Sequence, residues 1–234
     1  MKDIFGKALM DYQNGNYSED LVTWTHISDQ DILPLPYLFR SYSEMPKLEQ
    51  EALKLSTGKV LDVGCGAGNH SLWLQNKGLR VKAIDSSKGA VDVTTKRGVT
   101  QVEHISLLEE NGTYDTILLL MNGSGIFQEL SQLSKYLNHL KTLLKPNGQV
   151  LMDSSDIQYM YEDEDGGIWQ DLNSRYYGEL DYFISYKGET EVPMKWLYLD
   201  FDTLKTACLG VGLNCEKVMD GPHYDYLAKI QLDS

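Results

Sequence analysis

The chain has 234 residues, 42% of them hydrophobic and 24% charged, which is enough to bury a sizeable core and excludes a disordered or fibrous protein. With 34 acidic against 21 basic side chains the net charge is −13, so a phosphate backbone would meet a repulsive field and no nucleic-acid partner is expected. The densest apolar stretch, 117–121, is far short of the ~18 residues of a membrane span, and the opening residues turn polar at Asp11 before a secretory apolar region forms; together with three cysteines and no C-x-x-C pair, this gives the expectation of a cytoplasmic protein with reduced thiols and no metal.

No repeat or flexible linker interrupts the sequence. Residues 1–56, punctuated by Pro34, Pro36 and Pro46, read as an N-terminal helical segment that caps the remainder of the chain. Residues 59–63 are a short apolar run ending in the glycine loop Gly64-Cys65-Gly66-Ala67-Gly68, and a helix comes next that Gly78 closes. A second strand over 80–84 ends at Asp85, after which Ser86 or Ser87 can cap a helix stopping at Gly98. Residues 99–105 read as a third strand and 114–121 as a fourth. Leu130, Leu133, Leu137, Leu140 and Leu144 fall at helical spacing, and 149–152 form a fifth strand leading into Asp153-Ser154-Ser155-Asp156.

This alternation, with near-continuous apolar strands, implies an α/β fold: a doubly wound, mostly parallel, Rossmann-like sheet buried on both faces. The stretch 157–199 departs from it, and residues 176–186 and 192–200 read as an inserted antiparallel β-hairpin rich in Tyr, Phe and Trp. The acidic run 162–167 reads as a solvated loop, since neither end of an EF-hand alignment supplies a ligand. Beyond the insertion, Asp202 can cap a last helix, and strands near 215–218 and 224–232 close the sheet, with the final strand antiparallel. The core is then 57–156 plus 200–234, and the insertion is a possible substrate lid.

Ligands of such sheets bind beyond the carboxyl ends of the strands at the switch point, where the glycine loop lies. Gly64, Gly66 and Gly68 let the backbone approach a ligand without Cβ clashes, and Asp85, at the end of the second strand, is placed to accept hydrogen bonds from a ribose diol. The third glycine comes one residue early for a dinucleotide fingerprint, and Asn69 follows it. Val60-Leu61-Asp62-Val63-Gly64-Cys65-Gly66-Ala67-Gly68 resembles the first motif of class I S-adenosylmethionine-dependent methyltransferases, and Val81-Lys82-Ala83-Ile84-Asp85 resembles the second. Residues 114–120 and 143–149 are similar to the family's fourth strand and to the turn before its fifth.

The resemblance implies S-adenosyl-L-methionine as cofactor. It implies that Gly64, Cys65, Gly66 and Gly68 wrap the methionine part and ribose, that Asp62 braces the loop and the amino group, and that Asp85 holds the ribose hydroxyls. Ser86 would flank the adenine. His104 stands where the family usually has an acid that accepts from the adenine amino group, with Ile105 beneath the ring, and Asn122 would lie beside the sulfonium. Arg40, accompanied by Tyr37, could reach the cofactor carboxylate with a bidentate guanidinium.

On the acceptor side, Asp153 or Asp156 could orient or deprotonate an acceptor group, and His26, His70 and His223 are weaker candidates. The absence of Asn/Asp-Pro-Pro-Tyr/Phe and of Pro-Cys argues for a small-molecule methyl acceptor reacting at oxygen, nitrogen or carbon. A monomer or homodimer is expected. Two other readings stay open: a NAD-dependent oxidoreductase on the related fold, and a non-catalytic S-adenosylmethionine-binding module.

Overall fold

Helix α1 (Ile4–Gln13) begins where the Asp3 carboxylate accepts from the Gly6 N–H, and it buries Ile4, Ala8 and Leu9. Strands β1 (Leu21–Thr25) and β2 (Asp31–Leu33) come next. Two short 3-10 turns, Leu35–Phe39 and Tyr42–Glu44, then lead to α2 (Lys47–Leu55). The proline-rich spacing explains these short turns, because each proline removes an N–H and restricts the residue before it. The computed structural model describes residues 2–162 and 175–233.

The alternating part runs β3 (Lys59–Val63), α3 (Asn69–Asn76), β4 (Arg80–Asp85), α4 (Lys88–Lys96), β5 (Val102–His104), β6 (Tyr114–Leu119), α5 (Leu130–Leu143) and β7 (Leu144–Ser155). It continues through β8 (Glu179–Tyr186), β9 (Glu189–Thr190) and β10 (Met194–Leu197) to α6 (Phe201–Gly210), β11 (Leu213–Asp220) and β12 (Asp225–Leu232). Seven strands pair in the order β11-β12-β7-β6-β3-β4-β5. The pairs among β3 to β7 are parallel, and β12 runs antiparallel to both β7 and β11. This is the expected doubly wound, Rossmann-like sheet with an antiparallel last strand. Its central strands are apolar on both faces because helices cover both: Ile117, Leu118, Leu119, Val150 and Leu151 are fully buried.

A second sheet, entirely antiparallel, has the order β10-β8-β1-β2, with β9 pairing β8. The inserted hairpin supplies β8 and β10, and the N-terminal segment, helical at α1 and α2, adds β1 and β2. Trp24 opposes Phe183, and their rings stack 5.2 Å apart. The insertion and the N-terminal segment are therefore hydrogen-bonded to each other across more than half the chain.

Three local differences from the sequence reading have physical causes. β5 is shorter than 99–105, because only Val102, Glu103 and His104 find partners on β4. β7 is longer than 149–152, and Asn147 (φ 63°) lies where its pairing with β6 shifts register. The cap of α6 is Asp200 rather than Asp202: the Asp200 carboxylate accepts from the Thr203 N–H at 2.8 Å, and Asp202 sits in the first turn. Most of the acidic run, 163–167, lies outside the described residues.

Candidate cofactor and acceptor site

β3 lies between β4 and β6, so the chain reverses its direction of sheet growth beside the carboxyl end of β3. Gly64, Gly66 and Gly68 leave that end in left-handed conformations (φ 71°, 53° and 79°), which only glycine adopts without strain. Their surroundings differ. A Cβ on Gly68 would stand 2.7 Å from the Thr94 methyl, so this glycine lets α4 close on the loop, whereas a Cβ on Gly66 would meet nothing within 4 Å. Gly66 faces open space.

Asp85, at the end of β4, accepts from the Gly66 N–H at 2.9 Å and from the Ser87 N–H at 2.8 Å. Burial pushes its carboxyl up to about 6, against the pull of those two N–H groups, with the charges of Asp3 and Asp62 adding to the rise. Asp62 is buried in β3 and takes the Ser71 hydroxyl at 2.6 Å, which fixes α3 over the loop. Cys65 is buried against Thr94, and burial pushes its thiol far up, so it fills space as a neutral group. His104 and Ser86 meet at the ends of β5 and β4, where His104 Nε2 lies 2.9 Å from the Ser86 carbonyl, while Ile105 packs into the main core.

The N-terminal segment closes the other side. Arg40 is buried; its Nη1 donates to the Tyr37 carbonyl at 2.7 Å and its guanidinium lies 4.1 Å from the Tyr37 ring centre. Its Nη2 donates to Glu49 on α2 at 2.6 Å, and Glu49 Oε2 also meets His70 Nε2 at 2.6 Å. Burial disfavours charge on both Glu49 and His70, yet their mutual hydrogen bond and neighbouring charges outweigh it: Glu49 titrates below its ordinary value and His70 above. Arg40 Nε and Asn122 Nδ2 remain buried with no partner among the described residues.

Asn122 follows β6 in a left-handed conformation (φ 59°), and its Oδ1 accepts from the Ser154 hydroxyl at 3.2 Å. Asp153 accepts from the Gly123 N–H at 3.2 Å, and burial pushes it up to about 7, with the nearby Glu49 charge adding to the rise. Its charge also acts on Tyr37 and Tyr198. Thus Asp62, the glycine loop, Asp85, Arg40, Tyr37, Asn122 and Asp153 gather at one mouth. Asp156 does not join them. It takes the Tyr177 hydroxyl at 2.8 Å and lines a separate groove of about 570 Å³ with Asp200, Lys217 and Asp220. The strand pleat sends neighbouring side chains to opposite faces, and the chain turns after Ser155, so the two acids part. His26, which accepts from the Asp181 N–H on β8, and the exposed His223 also lie away from the mouth.

Sequence reasoning missed Glu49, Thr94 and Asn69. Asn69 donates to the Leu38 carbonyl at 2.8 Å and accepts from Arg97 at 2.6 Å, tying the loop to the N-terminal segment. In sequence Glu49 looks like one charge on an amphipathic helix; its partners are 9 and 21 residues away, and no local pattern marks them.

Comparison with known proteins agrees with this geometry. A family model described as a methyltransferase domain matches residues 37–213. The crystal structure of an S-adenosylmethionine-dependent methyltransferase from Bacteroides fragilis, in complex with S-adenosyl-L-homocysteine, superposes with a TM-score of 0.93 and 41% identity over 100% of this chain and 96% of that one. An uncharacterized methyltransferase of Staphylococcus carnosus is 29% identical over 184 residues, 77% of this chain and 81% of the relative. The match to the cypemycin N-terminal methyltransferase of a Streptomyces species, 33% over 102 residues, spans only 42% of that relative. The glycine loop, the acid closing β4 and a family match across most of the sequence lead to one assignment: the chain belongs to the class I S-adenosylmethionine-dependent methyltransferases.

Proposed function

We propose that the protein transfers a methyl group to oxygen, nitrogen or carbon of a small molecule, with the cofactor held between the glycine loop and Asp85 and the acceptor held against Asp153. The observation that carries this reading is the cradle at Gly66, whose N–H is fixed on Asp85 while open space lies where a side chain would stand. The donor set fits the cofactor. Carboxylate oxygens of Asp85 suit a ribose diol, the unpartnered Arg40 Nε suits a carboxylate, and Asp62 can accept from an amino group beside its bond to Ser71. Ser86, His104 and Ile105 frame the adenine end.

When bound, S-adenosylmethionine supplies an activated methyl group whose sulfonium departs as a neutral thioether. The residues contribute position. Gly64, Cys65, Gly66 and Gly68 bring backbone against the ligand, Asp85 holds the ribose, and Asn122 offers its free Nδ2 near the sulfonium; Arg40 serves the carboxylate end through Nε alone rather than bidentately, since Tyr37 and Glu49 hold its other two nitrogens. Holding the nucleophile in line with the methyl carbon supplies much of the barrier reduction. Asp153, with an affinity for protons near neutrality, can take a proton from an acceptor hydroxyl or ammonium group at its carboxylate oxygen.

The acidic net charge supports a small-molecule acceptor over a nucleic acid, and Tyr182 and Trp196, whose rings lie 5.7 Å apart on one face of the second sheet, support a wall that excludes water. In this reading 57–156 and 200–234 form the cofactor-binding core, with 1–56 and 157–199 joined over it. Three buried free thiols support a cytoplasmic setting, and a monomer or homodimer is the expected assembly. No helix among the described residues is long and apolar enough to cross a membrane.

Titration with S-adenosylmethionine, S-adenosylhomocysteine and NAD(H), followed by incubation of metabolite extracts with methyl-labelled cofactor, tests the proposal. Binding of the first two and label transfer to a low-mass product are expected. Binding of NAD(H) alone would favour the oxidoreductase reading, and binding without transfer would favour a non-catalytic module.

A further inference from the structure

Helix α1 meets the start of α4 with no side chain between them: a Cβ on Gly89 would lie 2.5 Å from the Gly6 Cα. Asp3 closes this contact. Its Oδ1 accepts from the Gly6 N–H at 2.9 Å and from the Ser87 hydroxyl at 2.7 Å, while its Oδ2 accepts from the Gly89 N–H at 2.8 Å. One carboxylate therefore caps its own helix and clamps the first turn of another. Ser87 in turn donates its N–H to Asp85, which holds the Gly66 N–H, so Asp3, Ser87, Asp85 and Gly66 form one hydrogen-bonded chain from α1 to the glycine loop. The same helix is anchored on its far side, where the Ile4 N–H donates to Glu191 at 2.9 Å and Lys7 pairs with Glu189 at 2.6 Å.

Capping α1 needs only one of the Asp3 oxygens. The second is used on α4, and it places a negative charge near Asp85, where that charge and that of Asp62 both disfavour ionisation. A clamp that opposes charge on the ribose acid is understandable if what it gains is a fixed 85–89 turn.

We propose that Asp3 is a positioning residue of the cofactor site, fixing the turn after β4 so that Asp85 presents its oxygens to the ribose diol and making α1 a working part of that site. The proposal rests on the assignment of Asp85 to the ribose.

The test is Asp3→Ser in the full chain, titrated with S-adenosylhomocysteine between pH 5.5 and 8.5. Serine caps α1 about as well as aspartate, but a hydroxyl oxygen that accepts from the Gly6 N–H cannot also accept from both Ser87 and Gly89. The dissociation constant should rise about tenfold at pH 8. The acid limb of binding should also move to lower pH, because Asp85 then faces only the Asp62 charge beside the Gly66 and Ser87 N–H groups. Gly89→Ala is the second variant. Its methyl pushes α1, and Asp3 with it, off the turn without changing the net charge, so binding should weaken and the acid limb should move the same way, by no more than in Asp3→Ser. Wild-type affinity in either variant, or an unmoved limb in Asp3→Ser, overturns the proposal and leaves Asp3 as a helix cap. Failure of the ribose assignment looks different: Asp85→Asn would then bind as tightly as wild type.

Discussion

Glu49 Oε2 and His70 Nε2 lie 2.6 Å apart in the interior and join the N-terminal segment to the helix after the glycine loop. With Arg40 on the other side of Glu49, the mouth of the sheet is closed by a buried chain of alternating charge. Removing the central carboxylate leaves the buried Arg40 guanidinium without its counter-charge and His70 without its acceptor, which typically costs about 3 to 5 kcal/mol. Glu49→Leu should therefore lower the melting temperature by on the order of 10 °C in a protein of this size. The Glu49–His70 part of this loss exists where both groups are charged. It is present above the ordinary carboxyl value of 4.5 and below the ordinary histidine value of 6.5, and it fades as pH rises through the elevated His70 value. Melting curves should show a larger deficit at pH 6 than at pH 9.

Asp153 gives the opposite sign. Its carboxyl binds its proton more tightly in the folded chain, near 7, than at its ordinary value of 3.8, so rising pH between those values removes stability. Asp153→Asn should match wild type near pH 4 and exceed it near pH 8 by on the order of 2 kcal/mol. If the acid serves as base, the same variant binds S-adenosylhomocysteine normally while turnover falls and loses its limb near neutrality. Denaturant titrations at the two pH values check the first part, and rate profiles check the second.

Gly66→Val should abolish cofactor binding in a protein that still folds. The strain of a left-handed valine is about 1 to 2 kcal/mol, and its side chain would fill the open space beside Asp85. Calorimetry with S-adenosylhomocysteine gives the answer directly, and normal binding would remove the loop from the site.

Trp196 packs on Gly125, where a Cβ would fall 2.1 Å from the indole, and so joins β10 to the turn after β6. Trp196→Ala should leave S-adenosylhomocysteine affinity within about twofold and reduce turnover about tenfold or more, because orientation of the acceptor suffers and the cofactor contacts do not. Point variants are the right probe here. Excising the whole insertion would strip β1 of its partner β8 and unravel the second sheet.

The alternating core was legible because strand, glycine loop, helix and the acid ending β4 are each written within a few residues, and the helix of 130–143 follows from its leucine spacing alone. β1 and β2 were not, since such short, partly exposed strands have no periodicity of their own; β1 pairs with residues about 160 positions away on β8, and β2 is an edge strand held only by β1. The glycine loop and Asp85 lie about 20 residues apart, on successive strand ends, so the sequence brings them together. Glu49, Thr94 and Asp3 act through tertiary contacts, and Asp156 was grouped with Asp153 because sequence proximity cannot tell which way a strand end turns.

The central claim is that Asp85 and the glycine loop form the cofactor site, and one titration tests it most directly: S-adenosylhomocysteine binding to wild type and Asp85→Ala at pH 8, where the acid is ionised. Loss of charge-assisted hydrogen bonds worth about 1.5 to 3 kcal/mol predicts an affinity roughly ten- to hundredfold weaker, with the melting temperature of the free protein unchanged or raised. Equal affinity in the two proteins would contradict the account.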